Sequence, residues 1–309
     1  MRLAGTEHGP FDVGPGDDAA GWRPSPGAIM VWSTDSLVED IDFRRRYQTP
    51  YQVGWKAWMA AVSDLAAMGA TCRGGLVAVS IARDASAAAV AAMQLGLVEA
   101  AAIDGASVMG GDIGVTTGPL TLTVTVMGEI EDGEPVRLGG GSPGQSLVVT
   151  GRLGEASAAL QLMERDARDF PQQWREHLLQ PPSRIDAGLA LRRAGAQAMT
   201  DVSDGLLVDL QRICRKSAVG ADIWLDHLPA PEGAAELGRR DELALCGGED
   251  YELLASLPAS ALERLLVDWK SGVPLSLIGV LTDREGIQIL RSPGGELVTA
   301  PASDGFRHF

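Results

Sequence analysis

Basic residues are scarce in this chain of 309 residues: 26 Lys and Arg stand against 41 Asp and Glu, a formal net charge of −15. Such a field repels a phosphate backbone, and the one basic run, Arg44-Arg45-Arg46, is too short to form a nucleic-acid face. Nucleic acid is therefore excluded as an expected partner. Cysteine is scarce too: Cys72, Cys214 and Cys246 are odd in number and far apart, which argues against a disulfide framework or a zinc cage. They predict reduced interior thiols and a cytoplasmic location. No apolar run reaches the roughly 18 residues of a membrane span, and the first residues hold no apolar leader core, so no membrane association is expected. Also missing are a Gly-x-x-x-x-Gly-Lys-Ser/Thr loop, a kinase-like His-Arg-Asp and a Gly-x-Gly-x-x-Gly after a strand, which disfavours the common nucleotide folds.

What is present is an ordinary globular mixture, 45% hydrophobic with 38 Gly and 17 Pro, long enough for about two domains. Apolar runs and helical periods alternate along it, which predicts an α/β class. The stretch 131–145, EDGEPVRLGGGSPGQ, breaks this pattern and divides the chain into an N-terminal domain, 1–135, and a C-terminal domain, 136–309. Leu120 to Val126 alternates apolar residues with threonine, the pattern of a half-buried strand.

The chemistry rests on acids. Gly14, Pro15 and Gly16 make a tight turn that delivers Asp17 and Asp18. The apolar run Ile29 to Trp32 predicts a strand ending in Ser33-Thr34-Asp35, and a second strand, Ala106 to Met109, runs into Gly110-Gly111-Asp112. Residues 53–70 have a helical period in which Asp64 shares the apolar face, an expensive place for a carboxylate unless it is paired or metal-bound. Lys56 on the same helix reads as a surface lysine. Asp201 and Asp204 lie three apart where a strand feeds a helix at Leu206, with Ser203 or Asp204 as the expected cap. Capping leaves Asp201 unexplained.

If these carboxylates converge, each pair about 4 Å apart repels by roughly 4 kcal/mol at an effective dielectric of 20. A cation is then required. Oxygen ligands without His or Cys favour Mg2+, whose remaining positions suit water and phosphate oxygens. An acidic protein can hold an anionic nucleotide when metal bridges the two.

Six motifs in order now carry a resemblance: Gly16-Asp17-Asp18, Ser33-Thr34-Asp35, Ser63-Asp64-Leu65, Gly110-Gly111-Asp112, Asp201-Val202-Ser203-Asp204-Gly205 and Gly247-Gly248-Glu249-Asp250-Tyr251. Their order and spacing resemble the thiamine-monophosphate kinase family, within the superfamily of aminoimidazole ribonucleotide synthetase. The resemblance implies a two-domain PurM-like architecture: a mixed-sheet N-terminal domain that pairs into a homodimer, and a C-terminal α/β domain that completes the active site. It implies ATP-dependent conversion of thiamine monophosphate to thiamine diphosphate. It assigns Asp18, Ser33, Thr34, Asp35, Asp64, Asp112, Asp201 and Asp204 to Mg2+, Gly111, Asp112, Arg137 and Ser203 to ATP, and Asp42, Glu249 and Phe306 to the substrate. Two of these positions depart from the family. Asp42 stands where the family commonly has a His, and Arg137 stands one residue before the usual arginine. The motifs also leave open a non-catalytic nucleotide- and metal-binding relative, and an ATP-dependent enzyme of the superfamily with another small substrate.

Overall fold

A computed structural model describes residues 12–167, 169–231, 233–237 and 239–301. The chain divides into two units: one takes residues up to Leu65, Ala70–Glu134 and Leu179–Ile185, the other Ala66–Gly69, Pro135–Leu178 and the chain from Asp186 onward.

In the first unit, β1 (Ile29–Val38), α1 (Pro50–Ala67), β2 (Thr71–Ala82), α2 (Ala87–Ile103), β3 (Ser107–Thr116) and β4 (Thr121–Ile130) follow one another. The strands form one sheet in the order β1-β4-β2-β3, with only β2 and β3 parallel. The helix α2 supplies the crossover that a parallel pair requires. It begins on Ser86, whose hydroxyl accepts the Ala89 N–H at 3.1 Å. Alternation marks the first half of β4: Leu122, Val124 and Val126 are buried, while Thr121, Thr123 and Thr125 take the opposite face, partly exposed. The helices α1 and α2 approach through two glycines. A β-carbon on Gly54 would stand 2.0 Å from the Met93 carbonyl oxygen, and one on Gly96 the same distance from that of Tyr51. Only glycine permits that backbone separation.

The second unit contains β5 (Ser146–Thr150), α3 (Glu155–Glu164), α4 (Gln172–Leu179), α5 (Ile185–Arg193), β6 (Ala198–Val202), α6 (Leu206–Ser217), β7 (Gly220–Trp224), α7 (Arg240–Cys246), β8 (Glu252–Leu257), α8 (Ala259–Asp268), β9 (Leu275–Thr282), β10 (Ile287–Leu290) and β11 (Leu297–Val298). Among the described residues its strands run β11-β10-β7-β9-β5-β8-β6, a mixed sheet. One apolar cluster joins Leu147 and Val149 of β5 to Leu206, Leu210 and Ile213 of α6. Burying a row of this kind contributes about 2 kcal/mol per large side chain and holds the head of α6 against the end of β6.

Candidate active site

The strands of the first unit continue through the motifs expected at their ends. Ser33, Thr34 and Asp35 lie inside β1, opposite Val126, Thr125 and Val124 of β4. Gly110, Gly111 and Asp112 lie inside β3, opposite Leu76, Val77 and Ala78 of β2. Both are edge strands, so pairing on one side alone extends them past the polar residues. Pleating then sorts the side chains. Ser33 and Asp35 share the phase of the buried Val31 and Leu37, and the Ser33 hydroxyl donates to the Asp64 carboxylate on α1. Thr34 turns to the other face, where its hydroxyl meets that of Thr125 at 3.0 Å.

Asp64 is exposed, contrary to the burial expected from its period. Buried residues surround almost the whole circumference of α1, so the apolar positions do not mark one stripe, and Asp64 stands where that cover opens. Lys56 is the reverse case. Expected at the surface, it is 1% exposed and donates from Nζ to the Asp42 carbonyl oxygen at 3.1 Å. The Asp42 carboxylate accepts the Val38 N–H at 2.8 Å, and so braces the 38–43 loop from within.

The turn at 14–20 is tied down by reciprocal bonds between Val13 and Gly21, both 2.9 Å. With Leu76, Ala78, Gly111, Asp112 and Thr125 it encloses a cleft of about 580 Å3, into which Asp17 and Asp18 also face. A second, largely apolar cavity of about 190 Å3 lies against α2, lined by Val79, Val90, Met93 and Leu97, and ends at Gly111 and Asp112. A β-carbon on Gly111 would come within 1.9 Å of the Val77 carbonyl oxygen. We expect Gly111→Ala to force β3 off β2 and lower the unfolding free energy by about 3 kcal/mol, read by urea denaturation; an unchanged midpoint would refute the close approach.

The structure therefore brings Asp18 and Asp112 to one cleft, and Ser33 to Asp64. It does not gather all the acids of this unit: Asp35 and Asp112 occupy opposite edges, three strand spacings or roughly 14 Å apart. Among the described residues, no group of three or more His, Cys, Asp or Glu side chains is placed to hold a metal ion.

In the second unit Asp201 is buried at 6% exposure near the end of β6, and Ser203 and Asp204 form the turn that follows. Neither caps α6, as the sequence had suggested. Its cap is Gly205, with φ at 118° and no side-chain bond, and the acceptor comes from inside the helix. One oxygen of Asp209 accepts the N–H groups of Ser203, Asp204 and Gly205 at 3.1, 3.1 and 3.2 Å. Arg212 joins Asp209 to Asp204. Burial pushes Asp209 up to about 6 against the pull of Arg212. The signal was in the sequence: Asp209 shares the helical phase of Leu206, Leu210 and Ile213.

The Gly247–Tyr251 turn lies beside this one, because Glu249 N–H donates to the Ser203 carbonyl at 2.8 Å and Tyr251 N–H to that of Val202 at 2.9 Å. Arg137 is exposed, and its carbonyl accepts the Met199 N–H at 3.1 Å on the edge strand β6. Phe306 lies outside the described residues.

Behind the Gly247–Tyr251 turn, His177 of α4 is buried among Glu155 of α3, Asp250 of the turn and Glu252 of β8, with Arg152 within 4.0 Å of Glu155. Burial pulls its pKa down, but the bond to Glu155 and the charges of Asp250 and Glu252 outweigh it and raise the ring to about 9. Because the folded value exceeds the unfolded one, this stabilisation is complete below about pH 6.5 and lost as pH rises through 9. Unfolding free energy measured in urea should fall across that window, and His177→Gln should flatten the fall; an equal slope in the variant would count against it.

Two family descriptions match the chain: residues 16–130 the AIR synthase related protein, N-terminal domain, and 142–291 the AIR synthase related protein, C-terminal domain. Two mixed sheets with acids on β1, β3 and β6 are thus those of an AIR synthase related protein. The thiamine-monophosphate kinase of Mycobacterium tuberculosis (strain CDC 1551 / Oshkosh) is 38% identical over 250 residues, 79% of this chain and 74% of that one. The crystal structure of thiamine-monophosphate kinase from Stenotrophomonas maltophilia K279a superposes with a TM-score of 0.84 at 34% identity, covering 93% of each chain. AaThiL complexed with AMPPCP and TMP superposes at 0.79 with 28% identity, covering 91% of this chain and 87% of that one. The chain belongs to the thiamine-monophosphate kinase family.

Proposed function

We propose that this chain transfers the γ-phosphate of ATP to the phosphate of thiamine monophosphate, giving ADP and thiamine diphosphate, in the cytoplasm. The observation that carries this reading is the donor set on the first unit: Ser33 bound to exposed Asp64, with Asp35 in phase, and Asp18 and Asp112 at a glycine-lined cleft. These are hard oxygen donors, and they fit Mg2+ better than a softer metal. Bound Mg2+ would neutralise the phosphate charges that the acids alone would repel. A related structure holds AMPPCP and TMP, which supports the same pair of ligands here.

The acceptor phosphate is already ionised at neutral pH, so the chain needs no strong base and its work is positioning. In the first unit, Asp18, Ser33, Thr34, Asp35, Asp64 and Asp112 would hold metal, and Gly111 lets the nucleotide approach the backbone. In the second, Asp201 and Asp204 would hold metal, Ser203 and Arg137 would meet ATP, and Glu249 and Phe306 would meet the cationic thiamine part. Purified protein with ATP, Mg2+ and thiamine monophosphate should yield thiamine diphosphate, read by chromatography. No product at saturating substrate would overturn the proposal.

The separation of Asp35 and Asp112 supports a homodimer. Pairing the β1 edge of one copy with the β3 edge of a second would lay the strand that carries Asp35 against the one that carries the partner's Asp112 and remove two open edges. Asp35→Asn and Asp112→Asn should each be inactive alone. After chain exchange, half of the dimers are mixed and each keeps one intact site, so about a quarter of the activity should return. Mixed dimers seen by native mass spectrometry but without activity would refute this arrangement.

One observation favours a second reading, a different small substrate: the Asp42 carboxylate is engaged with Val38 N–H and offers no imidazole-like donor. A panel of phosphate-bearing substrates in the same assay separates the two.

A further inference from the structure

The Gly247–Tyr251 turn holds two non-glycine residues in the left-handed region, Glu249 with φ at 65° and Tyr251 with φ at 50°. Each is strained, and such a conformation persists only where its surroundings impose it. One side is imposed by the bonds from Glu249 and Tyr251 to Ser203 and Val202. Asp250, between them, faces the other way.

Both the main chain and the side chain of Asp250 are held there. His177 Nε2 lies 2.8 Å from its carbonyl oxygen, and Gly154 N–H donates to Oδ2 at 2.6 Å. The second bond caps α3 from a distant loop, since the local cap, Gly154, has no side chain to offer. His177 Nδ1 stands 3.4 Å from Glu155 Oε2, and both Glu155 oxygens accept from Gln173 Nε2, at 2.9 and 3.2 Å. A carbonyl can only accept, so Nε2 must donate; a carboxylate oxygen likewise draws a proton onto Nδ1. The ring is therefore an imidazolium donating at both ends, between a fixed helix and a strained turn.

We infer that His177 is a positioning residue: through the Asp250 carbonyl it fixes the plane of the peptide between Asp250 and Tyr251, and so holds Glu249 where the substrate meets it. No neutral side chain of similar size donates in two directions along one line. Loss of the ring leaves the Asp250 carbonyl without that donor, Glu155 with Arg152 as its remaining cation, and the turn free to relax. The inference rests on the proposed contact between Glu249 and the thiamine part.

The test is a double-mutant cycle in the phosphoryl-transfer assay. Glu249→Ala alone should raise KM for thiamine monophosphate. His177→Gln should raise it about tenfold, the loss of one charge-assisted hydrogen bond, with KM for ATP unchanged. In the Glu249→Ala background the same substitution should add little, because both act through one contact. A merely structural histidine would instead reduce the active fraction, lowering kcat with both KM values intact, and that result overturns the inference. So does an additive cycle. If Glu249→Ala leaves KM unchanged, the reading of Glu249 fails first and takes the inference with it. If His177→Gln does not fold, Glu155→Gln, which weakens the same ring at Nδ1, enters the cycle in its place under the same criteria.

Discussion

Asp64→Asn should lower kcat by about 1,000-fold and leave the melting temperature nearly unchanged. The side chain is exposed, so its charge carries no burial cost that the fold must offset, and the amide keeps an oxygen to accept from Ser33. What it loses is the negative charge that would bind a cation. Asp112→Asn should behave alike, because that side chain is exposed beside the cleft and its strand is held by backbone bonds to β2. Steady-state turnover and a thermal melt on the same preparations separate chemistry from folding. Near-normal rates in either variant would show that these acids do not serve the phosphates.

Asp209→Ala should act in the opposite way, through the fold. Its carboxylate is fully buried and collects three N–H groups of the turn that carries Ser203 and Asp204, besides the Arg212 guanidinium. Alanine leaves those three donors without their acceptor and Arg212 with Asp204 alone. Part of the loss would be made good by water and by rearrangement of the turn, so about 3–5 kcal/mol is a reasonable expectation. For a chain of this size that corresponds to a fall in Tm of about 5–8 °C, with turnover lost as the Asp201–Asp204 turn loosens. Asp209→Asn retains an acceptor and should lose less. Urea denaturation of both variants checks the order. An alanine variant as stable as the parent would mean that the turn is held by other bonds.

By itself, the sequence determined what depends on neighbours within a few residues. The threonine alternation of β4, the helical period of α1 and the glycine turn at 14–16 follow from short-range geometry, and six acid-bearing motifs in one order sufficed to indicate the family. Tertiary structure alone decided which polar groups are wet and what each one touches. Ser33 meets Asp64 from 31 positions away, and His177 meets Asp250 from 73. No local period encodes such pairs. The same holds for the extension of β1 and β3 through their motifs, since a strand continues as far as its neighbour offers partners. It holds for Lys56 as well, which lies on a helix almost wholly enclosed. The motif Ser33-Thr34-Asp35, expected at a strand end, is thus divided by the pleat of a strand that continues to Val38: Ser33 and Asp35 face α1, and Thr34 faces the other way. That division follows from pairing with β4, 89 to 93 residues further along the chain, and not from the motif.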